Sequence, residues 1–171
     1  MEFGARPAVA EWKLRRSSLE CRLSQPIPYF GEAVFLQRAG ESPRFQLNTS
    51  QRLLSGDASL TLESPPWREP ASPIPLASVP VRVGSTPVTL TETVTERLLE
   101  GLLDGLVPVF DRLPSMSRNG HNRVSLAPVN FRTAYGDYRD CLGGLLSSSF
   151  AQAARTRIGY DGGGYEIDDA G

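Results

Sequence analysis

A chain of 171 residues has room for one domain and a modest tail, and 18 Lys+Arg against 19 Asp+Glu leave a formal net charge of -1. That balance argues against nucleic acid, whose phosphates call for a basic surplus, and against attraction to anionic lipid. At 40% hydrophobic and 22% charged the chain can bury a core, while one histidine and two cysteines leave little material for metal or redox chemistry.

Gly 16 and Pro 14 break the chain into many short elements, which points to strands and turns over long helices. The amino terminus lacks the charged start and long apolar run of a secretory signal. The chain is therefore either cytosolic, or a mature form whose removed signal is replaced by Met1, with Met1-Glu2-Phe3 as an added start. Val9–Leu14 and Leu19–Leu23 read as short strands flanking 15–18, and Pro26 and Pro28 make 25–29 extended and irregular. Ala33–Gln37, Arg44–Leu47 and Ala58–Leu62 alternate like strands. Residues 63–75 hold five prolines and Trp67, with too few periodic apolar positions for a regular element. Leu76–Val83 is a further strand, which Pro80 places at a sheet edge. A helix follows: Thr89 and Glu92 have capping-box spacing, Val94, Leu98, Leu102 and Leu106 repeat every four residues, and Gly105 and Pro108 stop it. Asn119-Gly120 is a hairpin signal ahead of a strand over Arg123–Val129. Asn130 then N-caps a second helix, on which Phe131, Ala134, Tyr135, Tyr138, Cys141, Leu142 and Leu145 form one apolar stripe. Residues 1–150 thus make a mainly β, α+β domain, an antiparallel β-barrel-like body with two packed helices. Beyond it, 151–171 shift to Ala, Arg, Gly and acid. No stretch approaches the roughly 20 apolar residues of a spanning helix, so membrane insertion is not expected.

Few side chains offer chemistry. His121 sits in a polar turn without an evident partner, and an exposed loop histidine is the simpler account than a general base. No G-x-S-x-G elbow is present, Gly162-Gly163-Gly164 opens no capped helix, and the acidic pairs Asp137/Asp140 and Asp168/Asp169 suit a solvated helix face and a charged tail. No catalytic residue, metal site or cofactor is expected. Trp67-Arg68 pairs a large aromatic with an arginine outside regular structure, types enriched at binding hot spots, so it is the candidate partner contact. The competing account tucks Trp67 over the body to close its edge. Cys21 and Cys141, 120 positions apart, are either two buried free thiols or one long disulfide of an oxidising compartment, and the place of Cys141 on the apolar stripe permits the bond. In the chain-entropy view such a bond contributes roughly 4–5 kcal/mol.

Trp12, then Leu19-Glu20-Cys21-Arg22-Leu23-x-Gln25-Pro26-Ile27-Pro28-x-Phe30-Gly31-x-Ala33-x-Phe35, resembles the amino-terminal domain family of the flagellar motor protein MotY. Arg38-Ala39-Gly40-Glu41, Pro65-Pro66-Trp67-Arg68 and Val129-Asn130-Phe131-x-x-Ala134-Tyr135-x-x-Tyr138-x-x-Cys141-Leu142 continue the likeness in order, over residues 10–150. The resemblance implies a periplasmic, non-enzymatic domain with a disulfide between Cys21 and Cys141. It implies attachment to the basal body ring proteins (the T ring) and support of stator assembly, with MotX among the partners. Family members continue into an OmpA-like peptidoglycan-binding domain, and 151–171 resemble its linker and possible first strand. Peptidoglycan is therefore expected to be reached only through that further domain. The rival expectation is a secreted ligand-binding domain with an apolar cavity inside the β body.

Overall fold

The computed structural model describes residues 1–7, 10–116 and 120–145. The expected linker and strand of 151–171 lie outside the described residues. The strands are β1 (Glu2–Gly4), β2 (Lys13–Arg16), β3 (Glu20–Ile27), β4 (Gly31–Arg38), β5 (Arg44–Thr49), β6 (Gly56–Glu63), β7 (Ile74–Val81), β8 (Val88–Thr89), β9 (Val107–Pro114) and β10 (His121–Ser125). Helix α1 spans Glu92–Leu103 and the described part of helix α2 spans 131–145. The α+β expectation holds. The strands form two five-stranded sheets, ordered β1-β10-β9-β6-β7 and β2-β3-β4-β5-β8. Both orders run from edge to edge without closing, so the body is a sandwich of open sheets and not a closed barrel.

Alternation along the strands makes the core. Leu23, Phe35 and Phe45 stand in register on β3, β4 and β5, all fully buried, and Phe45 stacks on Phe110 of β9 across the sandwich at 5.7 Å. Phe131 at the start of α2 packs edge-on against Trp12 at 4.9 Å, and Trp12 and Phe131 both reach Phe35, at 5.9 and 6.0 Å. One aromatic column therefore runs from α2 through the second sheet to the first. Such pairs add about 0.5–1.5 kcal/mol each beyond the area they bury.

Several expectations shift in detail. Glu2–Gly4, outside the strands expected from the sequence, forms β1: it pairs in parallel with β10, and Phe3 lies 5.2 Å from Phe30. The strand expected at Val9–Leu14 lies at Lys13–Arg16, and the turn is 17–20, closed by Ser17 N–H donating to Glu20 O at 3.0 Å. Residues 25–27, expected to be irregular, extend β3. Pro26 is tolerated there because β2 pairing ends at Ser24, so β3 has no second neighbour that needs a Pro26 N–H. The helix cap is Thr91, whose hydroxyl accepts from Val94 N, while the expected Thr89 belongs to β8 and pairs with Gln46. Strand pairing claims 88–90 and the helix begins after it, with Glu92 in its first turn complementing the dipole. Asn130 does stand before α2, its carbonyl accepting from Ala134 N, but at φ 61 it is left-handed, unlike an ordinary N-cap.

Candidate functional site

The residues with chemical potential do not converge. His121 is exposed at the start of β10, and among the described residues no acid or nucleophile bonds to its ring; its backbone carbonyl accepts from the Met1 amino group at 3.2 Å. Asp137 and Asp140 are exposed on α2, and Asp168 and Asp169 lie outside the described residues. No group of three His, Cys, Asp or Glu among the described residues could hold a metal ion. Arg123 makes the tightest ion pair, a two-pronged contact to Glu63 at 2.8 and 2.9 Å with Asp111 at 3.5 Å. Burial alone would lower the Arg123 pKa. The hydrogen bond and charge of Glu63, then the charges of Asp111 and Glu2, raise it on balance, so this cluster is a structural clamp across β6, β9 and β10.

What the fold does build is a rigid frame around a few presented side chains. Cys21, fully buried on β3, is joined to Cys141 on α2 by a disulfide with Cα atoms 6.2 Å apart. The same side of α2 buries Tyr138, whose hydroxyl lies 3.5 Å from Gln37 Oε1; burial, then the neighbouring Tyr135, pushes its pKa far above the ordinary tyrosine range. Nearer the other end of β3, Gln25 is fully buried yet polar. Its Nε2 donates to Ala127 O at 3.0 Å and its Oε1 accepts from Ala127 N at 2.9 Å, while Trp12 Nε1 donates to the same carbonyl at 2.9 Å. The buried alternation Cys21, Leu23, Gln25, Ile27 was the available signal for this clamp, since a glutamine at an inward position needs partners.

Trp67 and Arg68 part company. Residues 65–68 form a turn, Arg68 N donating to Pro65 O at 3.0 Å, with Pro65 buried as its anchor. The Arg68 guanidinium turns inward along the surface and donates to Asp104 O, at the carboxyl end of α1, at 2.7 Å. Trp67 is left 58% exposed, not tucked against the body. Arg132 from α2 donates to Leu103 O at 2.7 Å, so two arginines from different segments close the same helix end. Sequence spacing contains no hint of Arg132, whose partner is 29 positions away.

No helix among the described residues is long and apolar enough to cross a membrane. In comparisons with known proteins, residues 3–147 match the family described as MotY N-terminal domain. The sodium-type flagellar protein MotY of Vibrio parahaemolyticus serotype O3:K6 is 29% identical over 172 residues, covering 98% of this chain. The chain spans 58% of that relative's length. With the family match taking in both sheets, α1, both cysteines and nearly all of the described residues, the chain belongs to the MotY N-terminal domain family.

Proposed function

We propose that this domain is a structural part of a flagellar motor, acting in the periplasm by binding other proteins. In this reading it associates with the ring proteins of the basal body (the T ring) and supports stator assembly, with a MotX-like protein among its partners. Peptidoglycan attachment is assigned outside residues 1–145. The observation that carries the reading is the family match over 3–147, which takes in the whole disulfide-closed body. A disulfide of this span suits an oxidising compartment.

The mechanism is rigid presentation. A surface already fixed by the sandwich, the disulfide and the capped helices loses little freedom on binding, so more of each contact appears as affinity. Trp67, held outward on a proline-anchored turn, is the contact we assign to a partner. The rival reading, a ligand-binding cavity between the sheets, fits poorly with a centre occupied by Phe35, Phe45 and Phe110.

The test is co-purification of the tagged full-length protein with flagellar basal bodies from motile cells. Basal-body ring components are expected to accompany the wild type, and Trp67→Ala is expected to weaken retention about tenfold or more while leaving the melting temperature unchanged. Recovery of the wild type free of every ring component would overturn the role. Unchanged retention of Trp67→Ala would move the contact elsewhere.

A further inference from the structure

The outward side of the second sheet carries a basic field that the fold itself neutralises only in part. Cross-strand register sets Arg15, Arg22, Leu36 and Arg44 side by side on β2, β3, β4 and β5, and Lys13 and Arg38 share that side. Against these five cations the same side of these strands offers two carboxylates, and Glu11, just before β2, lies 3.6 Å from Lys13. Glu20 lies 3.4 Å from Arg38 and 3.9 Å from Arg22, and Glu32 lies 3.8 Å from Arg22. Arg15 and Arg44 make no ion pair with any described residue. Arg15 faces Arg22 directly, and like charges opposite one another weaken a sheet. Within the isolated fold Arg15 and Arg44 thus add repulsion with no ion pair to offset it.

The complementary charge lies on the same molecule. Along α1, Glu92, Glu96, Glu100 and Asp104 are exposed at every fourth position, a continuous ridge of like charges whose i,i+4 neighbours repel. The last two stand at the negative end of the helix dipole, where an acid is unfavourable. The cation of α1, Arg97, is drawn aside to donate to Leu76 O at 3.4 Å. The dimensions agree. The ridge advances about 6 Å per step and about 18 Å in all. Three strand spacings separate Arg15 from Arg44, about 14 Å. Arg44 and Glu92 line one surface groove beside 40–43 without forming an ion pair, so the basic face and the acidic ridge adjoin along one border of the molecule.

We propose that the outer face of the second sheet is a docking surface for the α1 ridge of a second copy of this chain. Because the two charged surfaces adjoin, a two-fold arrangement lets each copy present its ridge and receive its partner's at once. Arg15 and Arg44, the uncommitted cations, carry the contact, and Glu96 and Glu100 answer them. This inference stands whether or not the flagellar role does.

Sedimentation velocity of the 171-residue chain over a concentration series is the test. A dimer is expected at about 10 mM salt and is expected to weaken sharply at about 150 mM, as the Debye length falls from about 30 to about 8 Å. The charge reversals Arg15→Glu/Arg44→Glu and Glu96→Lys/Glu100→Lys should each weaken self-association about tenfold or more, with melting temperatures retained. An equimolar mixture of the two variants should dimerise again, since each then offers what the other lacks. A wild type that stays monomeric at low salt overturns the proposal, as does association indifferent to both salt and the reversals. A monomer whose Arg15/Arg44 face retains poly-glutamate also overturns it, the partner then being a different acidic protein.

Discussion

Gln25 commits both ends of its carboxamide to the backbone N–H and C=O of a single residue, Ala127, 102 positions away. Satisfying both backbone groups of that residue from the side chain allows the chain after β10 to leave its sheet and cross to the second one without stranding a buried donor. Gln25→Ala should leave Ala127 N–H unpaired in a dry site and destabilise by about 1–3 kcal/mol in urea denaturation. Gln46→Ala, on the outward side of β5, should change stability by no more than about 0.5 kcal/mol. Equal effects of the two would remove Gln25 from its place as a clamp.

At the scale of elements, the carboxyl end of α1 has no basic residue in its own last turn and is finished by other segments. Gly105 at φ 79 closes it: Gly105 N donates to Leu102 O at 3.0 Å and Leu106 N to Gly101 O at 2.9 Å, the paired bonds of a Schellman end. The next two carbonyls, Leu103 and Asp104, accept from Arg132 and Arg68. Gly105→Ala forces a side chain into the left-handed region and against the Arg68 guanidinium, so it should cost about 1–2 kcal/mol or more by thermal melting. Arg132→Met, which keeps much of the stem but removes the donor, should cost about 0.5–1.5 kcal/mol by the same measurement. The helix itself was legible because its apolar repeat and stop glycine are local. Its arginine clasp was not, because neither partner is near in sequence. Strand β9 was hidden for a different reason. Asp111 and Arg112 together oppose Arg123, and Arg112 at φ 63 makes a bulge, so Phe110 and Leu113 both reach the core although three positions apart. That spacing imitates a helix, and Pro108 reads as its end. Strand β8 was hidden by brevity, its two residues lying against a capping-box pattern.

For the molecule as a whole, the aromatic column and the Cys21–Cys141 bond do the same task by different means, fastening α2 to the sandwich. The double variant Cys21→Ala/Cys141→Ala should lose about 2–5 kcal/mol in denaturant, with the larger loss expected if the closed loop chiefly restrains the unfolded chain. Reducing the wild type should reproduce the loss. If reduction leaves the unfolding midpoint where it was, the packing of Phe131 and Tyr138 suffices to hold α2. Function was legible at this scale only through family likeness, since no catalytic constellation exists among the described residues for local patterns to reveal.

The bond also decides how the domain bears tension. Cys141 lies four residues before the end of the described helix, and Cys21 lies near the start of β3. A pull along the chain from beyond 145 passes through the sulfur pair into β3 and out along β2, and never runs lengthwise through β4 to β10. The 120-residue span between the cysteines therefore cannot pay out under load, withholding roughly 400 Å of extension that the same chain would release once reduced. A domain wired this way behaves under traction as a short, stiff link.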